Sequence, residues 1–344
     1  MVKHTKRPTM ADIAEHAGVG LATVDRVLTG RRKVREENVR RVLEAATVLG
    51  YHATPVIRYR LDRDAPRATF GFVLPKKNQR FYRDLTEALR SECDTFRDLR
   101  LSVSFRYTQT QDPAEYAACL RDLAGVANVI AASAVKHPQV DRAVEDLGET
   151  PLFALLNDFA TERRRKFIGL DNYRAGRQAG WMLANVIRDP GTIAVLVGGN
   201  LWQAHQQRES GLRAYFREYA PEFRLRDAVL NLETRRFTHA VVQDLLASQA
   251  DLRGIYVTGG GVEGAIDALR DSGKAGRIRL IVHPLTVETR AALEDGIVTM
   301  IIGTPVSTLA RAVVGAMSDA VLGRGGESGS QILLTPETHI PEHA

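Results

Sequence analysis

From residue 69 onward the sequence alternates short apolar runs with amphipathic stretches of helical period, and few architectures accept that pattern. The strand candidates are Thr69–Leu74, Leu101–Phe105, Val129–Ala132, Leu152–Leu156, Phe167–Gly169, Thr192–Val197, Gly254–Val257, Arg279–Val282 and Met300–Ile302. Between them the spacing predicts helices over Arg80–Phe96, Pro113–Leu123, Ala175–Ile187, Gln206–Tyr219, Thr238–Ser248, Gly261–Asp271 and Val287–Asp295. Such alternation implies parallel sheets covered on both faces and built by right-handed crossovers. The stretch is too long for one doubly wound sheet, which predicts two lobes.

The residues before this segment read differently. The chain has 344 residues and a formal net charge of +6, and all of that excess lies in residues 1–63, which hold 13 Lys/Arg against seven Asp/Glu. A basic head on a neutral body suits a polyanionic partner. Thr9-Met10-Ala11-Asp12 has the form of a capping box, with Ile13, Ala14 and Ala17 following at helical spacing and Gly18 placed to end the helix. A second helix is expected from Leu21 to Leu28, with Val24, Val27 and Leu28 inward and Thr29-Gly30 as its stop. A third starts at Glu36-Glu37 and buries Val39, Val42, Leu43 and Ala46. Three short helices with a tight glycine turn make a helix-turn-helix, whose second helix lies in the major groove.

Residues 9–30, TMADIAEHAGVGLATVDRVLTG, followed by residues 34–51, VREENVRRVLEAATVLGY, resemble the headpiece of the lactose-repressor (LacI/GalR) family of bacterial transcription regulators. The resemblance implies double-stranded operator DNA as a partner, with Leu21, Ala22 and Arg26 at base-reading positions and Thr23 placed for phosphate. Thr9, Gly20, Asp25 and Arg31 complete the expected contact set. Arg26 has the fork that pairs with guanine, or it holds a phosphate; Leu21 and Ala22 offer only apolar contact. Gly20 stands where the family has a capping serine. Asp25 replaces another serine, and either accepts from a cytosine amino group or orients Arg26.

In the linker the family's wedge leucine corresponds to Arg60, with Leu61 one place late. A wedge must be apolar, so Leu61 or Ile57 substitutes, or the DNA is kinked less. Pro55 can begin a hinge helix, and Arg58, Arg60 and Arg63 suit phosphates. The resemblance continues through the body, implying two α/β lobes, three crossovers and a cleft ligand, as in periplasmic sugar-binding proteins. The expected division is a headpiece (1–50), a linker (51–67), a first lobe (68–170 and 303–325) and a second (171–302 and 326–344).

Ligands of open α/β sheets gather beyond the carboxyl ends of the strands, which selects Lys76–Tyr82, Ser133, Asn157-Asp158, Asp171-Asn172, the loop before Arg208, Gly259–Glu263 and His283. Sugar pockets need planar bidentate partners and an aromatic plate, supplied by Asn157 or Asp158, by Arg208, and by Phe81 or Tyr82. Arg208-Glu209-Ser210-Gly211 matches the family's ligand arginine in its R-x-x-G step; the other role open to Arg208 is a salt bridge between lobes. Asn157 falls where relatives hold the sugar with an acid or amide. His283 falls where many carry aspartate, or is a strand-end histidine bonded to backbone. Ser133, Asp171 and Gly260 complete the expected effector contacts. Ile302-Gly303 replaces a further polar cleft position.

The resemblance thus implies a homodimeric or tetrameric regulator, a repressor more than an activator, controlled by a small sugar or polyol. Neither metal nor cofactor is expected. Gly259-Gly260-Gly261-Val262-Glu263-Gly264 satisfies G-x-G-x-x-G after a strand, but the next strand ends at His283-Pro284 without the acid a nicotinamide cofactor needs. The alternative to a dehydrogenase loop is a tight cleft loop. No HExxH, GxSxG or P-loop spacing occurs. A carrier without DNA function is the remaining alternative. Cys93 and Cys119 lack metal or redox spacing and read as packed thiols. With no apolar core after Met1–Pro8, and with the uncharged run Gly296–Ala310 too short and too polar for a span, a cytoplasmic protein is expected, with no membrane partner.

Overall fold

The computed structural model describes residues 7–30, 34–54, 65–324 and 330–343. Arg31 and the linker residues Pro55, Ile57, Arg58, Arg60, Leu61 and Arg63, singled out above, lie outside the described residues. The chain divides into a small unit, residues 1–68 with 96–101, and a large unit formed by the rest.

Among the described residues three helices build the small unit: α1 (Met10–Ala17), α2 (Leu21–Thr29) and α3 (Glu36–Val48). The capping box at Thr9 is formed, the Asp12 carboxylate accepting the Thr9 N–H at 2.7 Å. Gly18 then turns the chain with φ 61°, and Gly30 ends α2 with φ 68°. Ile13, Val24, Val42, Ala45 and Ala46 close a core drawn from all three helices. Arg41 donates to the Gly18 carbonyl at 3.3 Å, so this arginine ties α3 to the turn.

The large unit carries two sheets. In the first, β1 (Arg67–Pro75), β2 (Arg100–Thr108), β3 (Val129–Ala132), β4 (Leu152–Leu155), β5 (Lys166–Leu170) and β12 (Ser330–Leu334) lie in the order β12-β5-β4-β3-β1-β2. The second has the order β13-β11-β10-β9-β6-β7. It uses β6 (Thr192–Val197), β7 (Arg224–Leu225), β9 (Leu252–Val257), β10 (Arg279–Val282), β11 (Met300–Gly303) and β13 (Glu337–His339), with β8 (Val229–Leu230) also on β6. Its pairings are parallel except that of β13 with β11. Period-two alternation explains the continuous apolar runs: Ala194 and Leu196 enter one core cluster, Ile193, Val195 and Val197 the other, so both faces are covered.

The helices of this unit are α4 (Arg80–Thr95), α5 (Pro113–Leu123), α6 (Pro138–Glu145), α7 (Asn172–Val186), α8 (Gln203–Tyr219), α9 (Arg235–Ser248), α10 (Val262–Asp271), α11 (Val287–Glu294) and α12 (Val306–Val321). The chain passes between sheets after β5, after β11 and again between β12 and β13. This corrects the expected division at residue 326: Ser330–Leu334 pairs with Lys166–Leu170 and extends the first sheet, and the last crossing is at Thr335-Pro336. Helix α7 packs on α8 with backbones in contact. A methyl at Gly176 would overlap the Arg208 carbonyl, and one at Gly211 the Tyr173 carbonyl. The R-x-x-G step therefore has a packing cause: its glycine lets the helix bearing Arg208 sit on α7. Both cysteines are free, and burial pushes the Cys93 thiol up to about 12.

Candidate functional site

On the headpiece, α2 buries Val24 and Val27 and leaves Leu21, Ala22, Asp25 and Arg26 exposed on the opposite face, with Thr23 half-buried. Leu21 is 52% exposed, more than packing within the unit requires. Gly20 caps α2 without a side-chain bond, as its lack of a side chain dictates. Among the described residues no ion pair joins Asp25 to Arg26, and both side chains are exposed.

The second site is a cleft at the carboxyl ends of both sheets. Phe81, Tyr82, Ser133, Asn157, Arg208, Gly260 and His283, all named from the sequence, line it together. Two others do not. Asp158 is buried in a two-pronged pair with Arg164, at 2.5 and 2.8 Å, and Asp171 caps α7 by accepting the Arg174 N–H at 3.0 Å. A carboxylate at a strand end can serve the scaffold as well as a ligand, and here both do.

Several lining residues are engaged within the protein. The Asn157 side chain donates to the Ala134 carbonyl at 2.7 Å and accepts from the Ala204 N–H at 2.9 Å, pinning the start of α8. His283 shares a 2.8 Å hydrogen bond with the Tyr256 hydroxyl and also bonds the Ile302 backbone. Burial, helped by Arg208 nearby, holds its pKa well below the ordinary value, so the ring is neutral. Arg208 donates from Nε to Asn172 Oδ1 at 2.8 Å and from Nη1 to the Thr258 carbonyl at 2.6 Å. Among the described residues it forms no salt bridge to the opposite lobe.

Sequence reasoning missed the strongest electrostatic feature, Glu233. Its Oε2 accepts from Lys76 Nζ at 2.9 Å and Gln111 Nε2 at 3.0 Å, both from the first lobe, and its Oε1 accepts the Gly260 N–H at 3.0 Å. Burial alone would raise this carboxyl, but His205, Lys76 and the Gly260 N–H outweigh it and hold the group below the usual range. His205 Nδ1 accepts the Gly198 N–H at 3.3 Å, leaving its other nitrogen 3.7 Å from Glu233. Burial lowers this histidine to about 4, so near neutral pH the contact is that of a neutral ring with a carboxylate, and the ring carries the charge that acts on Glu233 only in the acidic range. Leu232 and Glu233 both have φ 52°, and Lys76 has φ 48°, left-handed values that non-glycine residues adopt at a cost. That backbone strain marks the pair as constrained, yet no one-dimensional motif announces it.

Trp202 is the other omission. It is 5% exposed, lines the cleft and meets Tyr116 edge-on at 6.4 Å, and its Nε1–H has no partner. The Ser133 hydroxyl lies beside the Tyr82 phenol and makes no hydrogen bond of normal geometry. The glycine run is a cleft loop: Gly260 binds Glu233, and Gly261 opens α10 with φ 81°. Glu233 thus occupies the loop that a dinucleotide phosphate would need. Among the described residues no His/Cys/Asp/Glu cluster could hold a metal ion, and no helix is long and apolar enough to cross a membrane.

A helix-turn-helix unit followed by a two-lobed body with a polar cleft defines the class of architecture: a small helical headpiece and a binding-protein-like body. Residues 70–325 match the periplasmic binding protein domain, and residues 9–54 match the bacterial regulatory proteins of the lacI family. The chain belongs to the periplasmic binding protein domain family and carries a lacI-family headpiece. It is 36% identical over 77 residues to the HTH-type transcriptional regulator RegA of Clostridium saccharobutylicum, covering 22% of this chain and 23% of that protein. Catabolite control protein A of Priestia megaterium is 32% identical over 81 residues, 24% of each chain. The match thus spans about a quarter of the length of these curated relatives.

In fold, the body resembles a solute-binding protein from Agrobacterium vitis bound with alpha-D-tagatopyranose (TM-score 0.74, 14% identity, 80% of this chain and 95% of that one). A solute-binding protein from Burkholderia graminis in complex with D-arabinose is similar (TM-score 0.74, 17% identity, 81% and 97%).

Proposed function

We propose that the chain is a sequence-specific regulator of transcription, acting as a cytoplasmic homodimeric repressor whose DNA affinity is set by a small sugar or polyol in the cleft. The observation that carries this reading is the presence on one chain of a lacI-type headpiece, with Leu21, Ala22, Asp25 and Arg26 exposed, and a ligand cleft lined from two lobes. Two headpieces on a two-fold dimer read a near-palindromic operator. The ligand selects one arrangement of the lobes, and the coupling between ligand and operator is of order 1–3 kcal/mol.

The test begins with selection of duplexes from a random pool by the full chain, followed by retardation assays in a sugar and polyol panel. Removal of residues 1–63 should abolish duplex binding while ligand-induced thermal stabilisation persists. Arg208→Ala should leave effector-free operator binding intact and remove the ligand response. A chain that enriches no duplex but still binds a sugar would be a carrier, and the regulatory reading falls.

A further inference from the structure

The cleft holds a charge that the protein does not balance. Both acceptors bound to Arg208 are neutral, Asn172 Oδ1 and the Thr258 carbonyl, and among the described residues no carboxylate is paired with it. Glu233, the carboxylate of the lining, is already taken by Lys76. The two acids that the sequence offered as partners are committed elsewhere, Asp158 to Arg164 and Asp171 to the start of α7. His205 and His283 are both neutral in place. Asp84, Glu87 and Glu337 line an adjoining groove past Phe81 and Pro284, and Asp84 pairs with Arg80. One guanidinium charge therefore remains. A cation withdrawn from water without an anion is costly, and carbonyl acceptors recover only part of that cost.

A second, independent observation concerns donors. Trp202 lines the same cleft, and its Nε1–H is buried behind the surface without an acceptor. Indole and guanidinium nitrogens can only donate. Trp202, His205 and Arg208 recur every three residues at the start of α8, whose N-cap supplies no side-chain bond. The missing element is an acceptor, and an ionised oxygen is the strongest one.

We infer that the ligand of this cleft carries an anionic group, a carboxylate or a phosphate on a polyhydroxylated carbon chain, received by Arg208. The inference rests on the polyol reading above and narrows it to sugar acids or sugar phosphates.

The decisive variant is Asn172→Asp, which keeps the shape of the Arg208 partner and supplies the missing negative charge. The wild-type full chain should gain thermal stability from inorganic phosphate over chloride at equal ionic strength, and Asn172→Asp should lose that gain. An equal phosphate response in both proteins overturns the inference. A panel pairing each aldose with its aldonate and its 6-phosphate then separates the sources. An acidic member should bind about tenfold tighter than its neutral partner, and the member that binds tells carboxylate from phosphate. If neutral aldoses bind as tightly as their acids, the anion is refuted and the sugar-effector reading stands. If no member binds while the phosphate difference holds, the polyol reading fails and the anion site survives.

Discussion

At the scale of single residues, Arg26 and Trp202 carry the sharpest expectations. Arg26 is exposed on the free face of α2 and has no ion pair among the described residues, so its fork is available to a base edge. Arg26→Ala should cost about 1–3 kcal/mol on the selected operator and much less on random duplex, with relaxed preference at one symmetric pair of positions. Equal losses on both duplexes would make it a phosphate clamp. Arg40, exposed on α3, is the proper comparison and should weaken both duplexes alike. Arg41 is not, because its bond to Gly18 mixes folding into the result. Trp202→Phe deletes a buried donor that has no acceptor, so the loss of ring volume is offset by relief of the unsatisfied N–H. Its ligand-free melting temperature should stay within about 3 °C of wild type. Effector affinity should fall about fivefold in titration calorimetry. A large stability loss with unchanged affinity would assign the indole to packing alone.

Among elements, the loop carrying Glu233 and the start of α8 form one titrating assembly. The folded His205 has a pKa of about 4 against an ordinary 6.5, so between those values the unfolded chain binds a proton that the native state refuses. Stability contributed there is present above the unfolded pKa and lost as pH falls through that window. Glu233, held low, adds to the loss as pH drops below the ordinary carboxylate value toward its folded one. Thermal melts should therefore show the body losing stability of order 1–3 kcal/mol on acidification from pH 7 to about 4.5. His205→Gln should flatten that decline; an unchanged slope would remove His205 from it.

The same assembly shows where sequence stops being legible. Strand ends are readable because apolar runs have sharp limits, and so Ser133, Asn157 and His283 could be gathered in advance, while Arg208, inside a helix, is found through the R-x-x-G resemblance. Glu233 sits in an irregular loop at left-handed φ, and only the tertiary approach of Lys76 and Gln111 reveals its role. Helix α12 escaped notice because it is apolar around most of its circumference, with few polar residues to set a phase. Helix α6 escaped because Pro138 reads as a breaker, although at the first turn it is harmless. Strands β12 and β13 are half-exposed edges whose mixed residues give no apolar run.

For the whole molecule, on the regulatory reading proposed above, the charge placed in residues 1–63 would govern encounter with DNA. Operator affinity should fall with salt by about 0.9 in log K per log unit of salt for each phosphate neutralised, and a flat response would deny an electrostatic headpiece. The order of the sheets has a further consequence, for synthesis. The headpiece core draws only on residues between Ile13 and Tyr51, whereas the first sheet lacks an edge strand until Leu334 exists, and the second until His339 does. At roughly 5–20 residues per second, translation leaves an interval of roughly 15–60 s between them. During that time the residues of the headpiece core are already complete while both sheets of the body lack an edge strand. A nonsense codon at any of positions 330–334 would release that same species, with its headpiece residues intact, the first sheet lacking all or part of β12 and the second lacking β13.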